Sequence, residues 1–417
     1  MSQELLNRAQ ILMQQKRHAE AEKILVEALG QDPVDPYLLG MMAEVQIAQG
    51  KAKKALEFVN KAIGSNPDIG FLHYIKARAL LLNDNFDGSE ASLRTAVAID
   101  PQDDDAFALL ANIRLNRKNY NEALEYAEEA LAINPENLLA LNTKSSTLVK
   151  LDKKEEAFET IEGALNEDPN SAYTHANYGW GLLEKGEHKK ALTHFAEALK
   201  NDPNNQFAQA GMAEAIKARY LIYRLYLKYA FWMSNLTEKY QWGVIIGFYL
   251  VYRVLSSAAR ENETLAPFIT PILVVMFIIA FSSWVLGPLA NLFLRLNKYG
   301  QHLLSKKEKL SSNFVGLSLL TSVAGLILFI MSGTPGWMAM AFFGFTMMIP
   351  CSAMFSHTKT KNALVYYTIA MAFVGGVSVM GTFQTGELFS NFTVIYLLGI
   401  FAFQWIANFV VIREDNR

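Results

Sequence analysis

The stretch KNYNEALEYAEEALAINPENLLALNTKSSTLVKL, residues 118–151, is one period of a pattern that fills the first half of the chain. Its proline, Pro135, belongs to a series at 34-residue steps: Pro33, Pro67, Pro101, Pro135, Pro169 and Pro203, each preceded by Asp or Asn. Small residues keep the same step. One series is Ala9, Ala43, Ala77, Ala111, Ser145 and Gly179; a second is Ala21, Ala55, Ser89, Ala123, Ala157 and Ala191; a third is Ala28, Ala62, Ala96, Ala130, Ala164 and Ala198. Two short antiparallel helices per period explain all of this. Small side chains recur where two helix axes must come close, because a larger group would push them apart. Proline recurs just after the second helix, which it cannot continue, and it biases the preceding residue away from helical dihedrals. One helix pair cannot bury its apolar face alone, so neighbours stack into a superhelix with a concave inner surface.

This pattern resembles the tetratricopeptide repeat (TPR) family over residues 2–205, in six copies. The resemblance implies an α-solenoid. Gln46 and Arg114 stand where the family usually has Tyr, departures expected to be tolerated at the surface. The resemblance also implies that certain residues of the first helix in each pair face the groove: Tyr37, Glu44, Phe71, Tyr74, Arg78, Asn112, Asn116, Asn142, Tyr173 and Trp180. Asn offers both donor and acceptor to an extended peptide, and rings offer apolar area at modest entropic cost. The implied ligand is a protein or peptide. The basic clamp that some TPR domains use for a C-terminal carboxylate is only partly echoed, by Arg78, Asn112 and Asn142. Residues 1–30 read as a charged amphipathic helix pair and not as a signal peptide.

Charge divides the chain into an acidic half, 1–205 at net -10, and a basic half, 206–417 at +8, for -2 overall. The basic half holds six apolar runs, 241–259, 268–289, 314–331, 337–355, 363–380 and 392–412. Each is near the ~20 residues that a helix needs to cross the hydrocarbon core. The expected fold is therefore all-α, a TPR solenoid followed by a six-helix transmembrane bundle. Its expected parts are 2–205 as solenoid, 206–238 as a capping and interfacial amphipathic helix, 239–412 as membrane domain and 413–417 as tail. Arg295, Lys298, Lys306, Lys307 and Lys309 lie between runs two and three, and Lys359 and Lys361 between runs four and five. The positive-inside bias then places both termini in the cytoplasm, at an inner or plasma membrane. Arg253 interrupts the first run and is expected to snorkel or to face a neighbouring helix. Between the halves, Lys217, Arg224 and Lys228 are spaced 7 and 4 apart and form one stripe on a single helix. With Trp232 they are expected at the lipid interface, where cations attract anionic headgroups.

Motifs for catalysis are missing: there is no HExxH, GxSxG, P-loop or Rossmann glycine pattern. Asp103-Asp104-Asp105 follows Pro101 at a helix start, where carboxylates favourably meet the helix dipole, so it reads as structural and not as a metal site. His188 and His194, six apart, fall on opposite helix faces, which counts against a shared metal. Cys351 is the one cysteine, which excludes an intramolecular disulfide, and reads as packing. The apolar runs lack a central Asp, Glu or Lys, which counts against proton-coupled transport and acid–base hydrolysis. Gln404, Asn408, Ser318, Thr321 and Ser322 read as interhelical hydrogen-bonding groups, and Gly243 with Gly247 as a close-packing step. The expected function is a non-enzymatic, membrane-anchored adaptor or scaffold that binds a protein or peptide. No catalytic residue, metal, cofactor or nucleic acid is implied; membrane lipids are expected partners and a homo-oligomer is allowed. The alternatives are a TPR-regulated transporter or channel and a membrane enzyme with an unrecognised site. The whole chain resembles bacterial multi-pass membrane proteins that carry TPR repeats, a resemblance that brings no activity with it.

Overall fold

The computed structural model describes residues 2–262, 264–296, 300–355 and 362–415. Two compact units make up the chain, Met1–Pro169 and Asn170–Arg417.

The first unit is five helix pairs. They are α1 (Ser2–Gln14) with α2 (His18–Gln31), α3 (Pro36–Ala48) with α4 (Ala52–Ser65), and α5 (Gly70–Leu81) with α6 (Phe86–Ile99). Two further pairs are α7 (Asp104–Asn116) with α8 (Tyr120–Ile133), and α9 (Leu138–Lys150) with α10 (Lys154–Glu167). Every member of the three small-residue series is buried, as close helix approach requires. The turn inside each pair carries a left-handed residue at the same step: Lys16 (φ 59°), Gly50 (φ 74°), Asp84 (φ 55°), Lys118 (φ 61°) and Asp152 (φ 61°). Capping residues start the first helix of several pairs. Asp35 accepts from the Tyr37 and Leu38 amides, Asp103 from Ala106, and Asn137 from Ala140. The acidic triplet is thus a helix start: Asp103 caps α7, and the Asn137 side-chain amide donates to Asp104 at 2.8 Å and Asp105 at 3.0 Å.

Gln46 and Arg114 correct the expectation of tolerant surface positions. Gln46 is 1% exposed and donates to Glu22, 24 residues earlier, at 3.2 Å. Arg114, with a side chain 12% exposed, pairs with Glu90, again 24 residues earlier. Each joins the first helix of one pair to the second helix of the preceding pair.

The second unit opens with a sixth pair, α11 (Ala172–Lys185) and α12 (His188–Asn201), whose turn has Gly186 at φ 94°. Phe195 of α12 is fully buried against Gly179 and Gly211; a Cβ on those glycines would come within 2.7 and 2.2 Å of its ring. The segment expected to be one helix over 206–238 is two, α13 (Gln206–Lys217) and α14 (Leu221–Asn235).

Seven further helices follow: α15 (Glu238–Glu261), α16 (Ala266–Leu294), the short α17 (Gly300–Leu303), α18 (Lys306–Ser332), α19 (Pro335–Ala353), α20 (Ala363–Thr385) and α21 (Asn391–Asp415). Among the described residues five of these, α15, α16, α18, α19 and α20, are long and apolar enough to span a membrane, and α21 is apolar through Ala407. α18 and α19 form a tight hairpin. Gly333 closes α18 in a left-handed turn, and Pro335 opens α19 where its missing N–H is not needed. Backbones touch at Gly325 and Gly344: a Cβ there would fall 2.6 Å from the Ala341 nitrogen and 2.5 Å from the Ser322 nitrogen. Hydroxyls join the helices, with Ser311 donating to the Cys351 and Ser352 carbonyls at 3.1 and 3.0 Å and Tyr367 donating to Gly399 at 2.9 Å. Of the two placements expected for Arg253, the exposed one on α15 is found, as snorkelling requires, and not contact with a neighbouring helix. Gly243 and Gly247 have open space where a Cβ would stand, so they are not a packing step within the chain. Lys298, Lys359, Lys361 and the Asn408 side chain lie outside the described residues.

Candidate binding groove

α3, α5 and α7 carry most of the expected groove residues. Leu38, Met42, Leu72 and Ile75 turn to the core, while Tyr37 and Phe71, each one residue before a buried leucine, stay outward. Tyr37 is 54% and Phe71 39% exposed, large rings left in water. Phe71 lies over Gly40, which has no side chain to hold it off. Beside them, Arg78 donates to Glu44 at 2.8 Å, joining α5 to α3, and its guanidinium stands 5.6 Å from the centre of the Tyr74 ring. Burial pushes the Glu44 carboxyl above its usual range, against the pull of Arg78. Burial likewise pushes the Tyr74 phenol up to about 12, opposed by Arg78 and helped by Asp105, Asp103 and Glu44. On α7, Asn116 is exposed and donates to the Asn112 carbonyl at 2.9 Å and to its side-chain oxygen at 3.1 Å.

Two expected groove residues are placed otherwise. Asn142 is fully buried and donates to the Leu138 carbonyl at 2.7 Å, one turn back in α9, so it offers no face to a ligand. Trp180 is engaged in packing. Its ring stacks on Phe207, meets Phe195 and Phe231 edge-on, and its Nε1 donates to the Phe207 carbonyl at 3.2 Å. Tyr173 is 44% exposed on α11 of the second unit. The residues brought together are therefore Tyr37, Glu44, Phe71, Tyr74 and Arg78, with Asn112 and Asn116 on α7 of the same unit.

Tetratricopeptide-repeat profiles match residues 12–71 and 114–176, residues 74–137, and residues 172–205. Residues 12–205 are a tetratricopeptide-repeat segment. No curated protein sequence matches the chain. Among solved structures, PilF of Pseudomonas aeruginosa is 18% identical over 51% of this chain and 97% of its own, with a TM-score of 0.42. A tetratricopeptide repeat protein from Parabacteroides merdae is 19% identical over 51% and 83%, TM-score 0.43. YrrB, described as a TPR protein with an unusual peptide-binding site, is 18% identical over 45% and 96%, TM-score 0.34.

The residues expected at the lipid interface separate. α13 ends at Lys217, so the stripe does not continue onto α14. Lys217 is buried, donating to Glu214 at 2.5 Å and to Asn291 of α16 at 3.2 Å, while Tyr223 donates to the other Glu214 oxygen at 2.7 Å. Its charge is consumed inside the protein and cannot meet a headgroup. Burial, with Glu214 alongside, drives the Tyr223 phenol far above its ordinary range. Lys228 and Trp232 are exposed on α14, and Arg224 is half-buried there. A histidine contact went unseen in the sequence. His194 meets His175, Nδ1 to Nδ1 at 3.1 Å, and packs on Tyr178 at 4.2 Å between centroids, rather than pairing with His188. Among the described residues no three His, Cys, Asp or Glu side chains are grouped as a metal would require.

Proposed function

We propose that the chain is a membrane-anchored TPR adaptor that holds an extended protein segment along α3, α5 and α7. The observation that carries this reading is the pair of exposed rings, Tyr37 and Phe71, beside the Glu44–Arg78 pair. Rings of this size gain free energy when a partner covers them, and such anchors commonly dominate binding. Asn112 and Asn116 add donors and acceptors for a peptide backbone. Residues 2–205 are the binding part, 206–238 a cap that meets headgroups through Arg224, Lys228 and Trp232, 239–412 the anchor and 413–417 a tail. Arg295, Lys306, Lys307 and Lys309 put both termini on the cytoplasmic side. The protein works by recruitment and not by catalysis.

A photo-crosslinking residue at position 71 of the full chain tests this in native membranes. The control position is 26, on α2, where Val26 is 59% exposed. Protein adducts from 71 and not from 26, weakened by Tyr37→Ala, support the reading. Equal adducts from both positions, or none from 71, overturn it.

A further inference from the structure

Within the Asn170–Arg417 unit, the α11–α12 turn and α14 enclose a cleft of 170 Å³. Lys185 and His188 line it from the turn, Arg224 and Lys228 from α14, and Leu221 and Leu225 form an apolar wall. Lys185 lies 3.3 Å from Glu187, which also pairs with Lys190 at 2.6 Å. Arg224 and Lys228 pair with no carboxylate among the described residues, and the Arg224 Nε is buried without a hydrogen-bond partner. A buried guanidinium N–H that lacks an acceptor is unfavourable until something supplies one. The N-terminus of α12 adds to the positive field, its N-cap residue, Glu187, making no side-chain cap.

We infer that this cleft binds the phosphate of a membrane phospholipid. Arginine presents a planar fork that matches phosphate oxygens, with lysine as a second point charge. The apolar wall selects the lipid over a free anion. Leu221 and Leu225 are 63% and 60% exposed, with Ile222 at 71% beside them, so a seated phosphate has apolar surface next to it for the rest of an amphiphile. The inference rests on α15–α21 being a bilayer anchor and is independent of the groove.

The test uses the full chain in nanodiscs of phosphatidylcholine doped with phosphatidic acid, reading the retained lipid by native mass spectrometry. Arg224→Gln with Lys228→Gln should lower retained phosphatidic acid by about tenfold. Lys200→Gln with Lys239→Gln, which removes the same charge from exposed positions outside the cleft, should leave it unchanged. Lys228→Gln alone changes an exposed side chain and should give a partial loss, which keeps the test valid if the double variant misfolds. Retention unaltered in both cleft variants overturns the site. Displacement of the lipid by millimolar inorganic phosphate keeps the phosphate site but overturns the lipid as its occupant. A chain that fails to enter nanodiscs overturns the anchor reading and the cleft lipid with it.

Discussion

Replacing Glu90 by leucine tests the stacking of the repeats. Glu90 is the hub of three arginines: Arg114 of the next pair, Arg94 at 3.1 Å and Arg117 at 3.0 Å. Glu90 and Arg114 have side chains only 12% exposed, whereas Arg94 is 53% exposed and is rehydrated at little cost. Removing one partner of a buried pair costs about 3–5 kcal/mol, because the other charge is stranded. Arg114 retains Glu122, whose oxygen lies 3.2 Å from Nε but is poorly aligned for a hydrogen bond, so the lower end applies. About 3 kcal/mol is roughly a hundredfold in an equilibrium constant. Hydrogen exchange of the α6 and α7 amides in the full, detergent-solubilised chain reads this local opening directly. Glu90→Leu should lower their protection about a hundredfold. Adding Arg114→Leu should restore most of it, since Leu124 packs against the Leu148 cluster at the same two positions one repeat later. A single variant that loses less than about threefold, or a double variant that loses as much as the single, would refute the reasoning.

Gly50→Ala places a side chain at φ 74° with open space around it, so the backbone alone is perturbed and α3–α4 should lose about 1 kcal/mol by denaturant melt; Lys16→Gly, relieving φ 59°, should lose nothing. The Tyr74 phenol, pushed from 10.0 up to about 12, contributes stability that is complete below about pH 10 and is lost as pH rises through 12. Between those values the parent should therefore lose more stability than Tyr74→Phe, by up to about 2 kcal/mol in thermal melts of the helical signal; equal losses would mean that the ring is not sheltered.

The helix-pair architecture was legible because proline and alanine recur at positions where backbone geometry tolerates little else. The turn series was not: Lys16, Gly50, Asp84, Lys118, Asp152 and Gly186 share a left-handed backbone but no residue type. Nor was the break after Lys217, where Ala218-Arg219-Tyr220 contains neither proline nor glycine to announce it. Without such a signal the sequence reads as one continuous helix, and Lys217, buried in the structure, falls on its charged stripe. Of the residues that the family resemblance assigns to the groove, Tyr37 and Phe71 are exposed, whereas Asn142 is buried and Trp180 packs among Phe195, Phe207 and Phe231. Which way a half-polar side chain turns depends on neighbours far away in sequence, and spacing within one helix does not contain them.

The polar contacts between successive pairs have a further consequence for how so repetitive a chain finds its own order. At the junction of the first and second pairs the two facing positions are Glu22 and Gln46; at the next they are Leu56 and Leu80; then Glu90 and Arg114; then Leu124 and Leu148. Near-identical modules could in principle dock with the wrong neighbour, within one molecule or between two. A module that skipped one place would set a carboxylate or guanidinium against leucine, with nothing to receive its hydrogen bonds. The alternation works like the wards of a key, admitting the correct neighbour and penalising the module one place further along, the wrong partner that is nearest at hand.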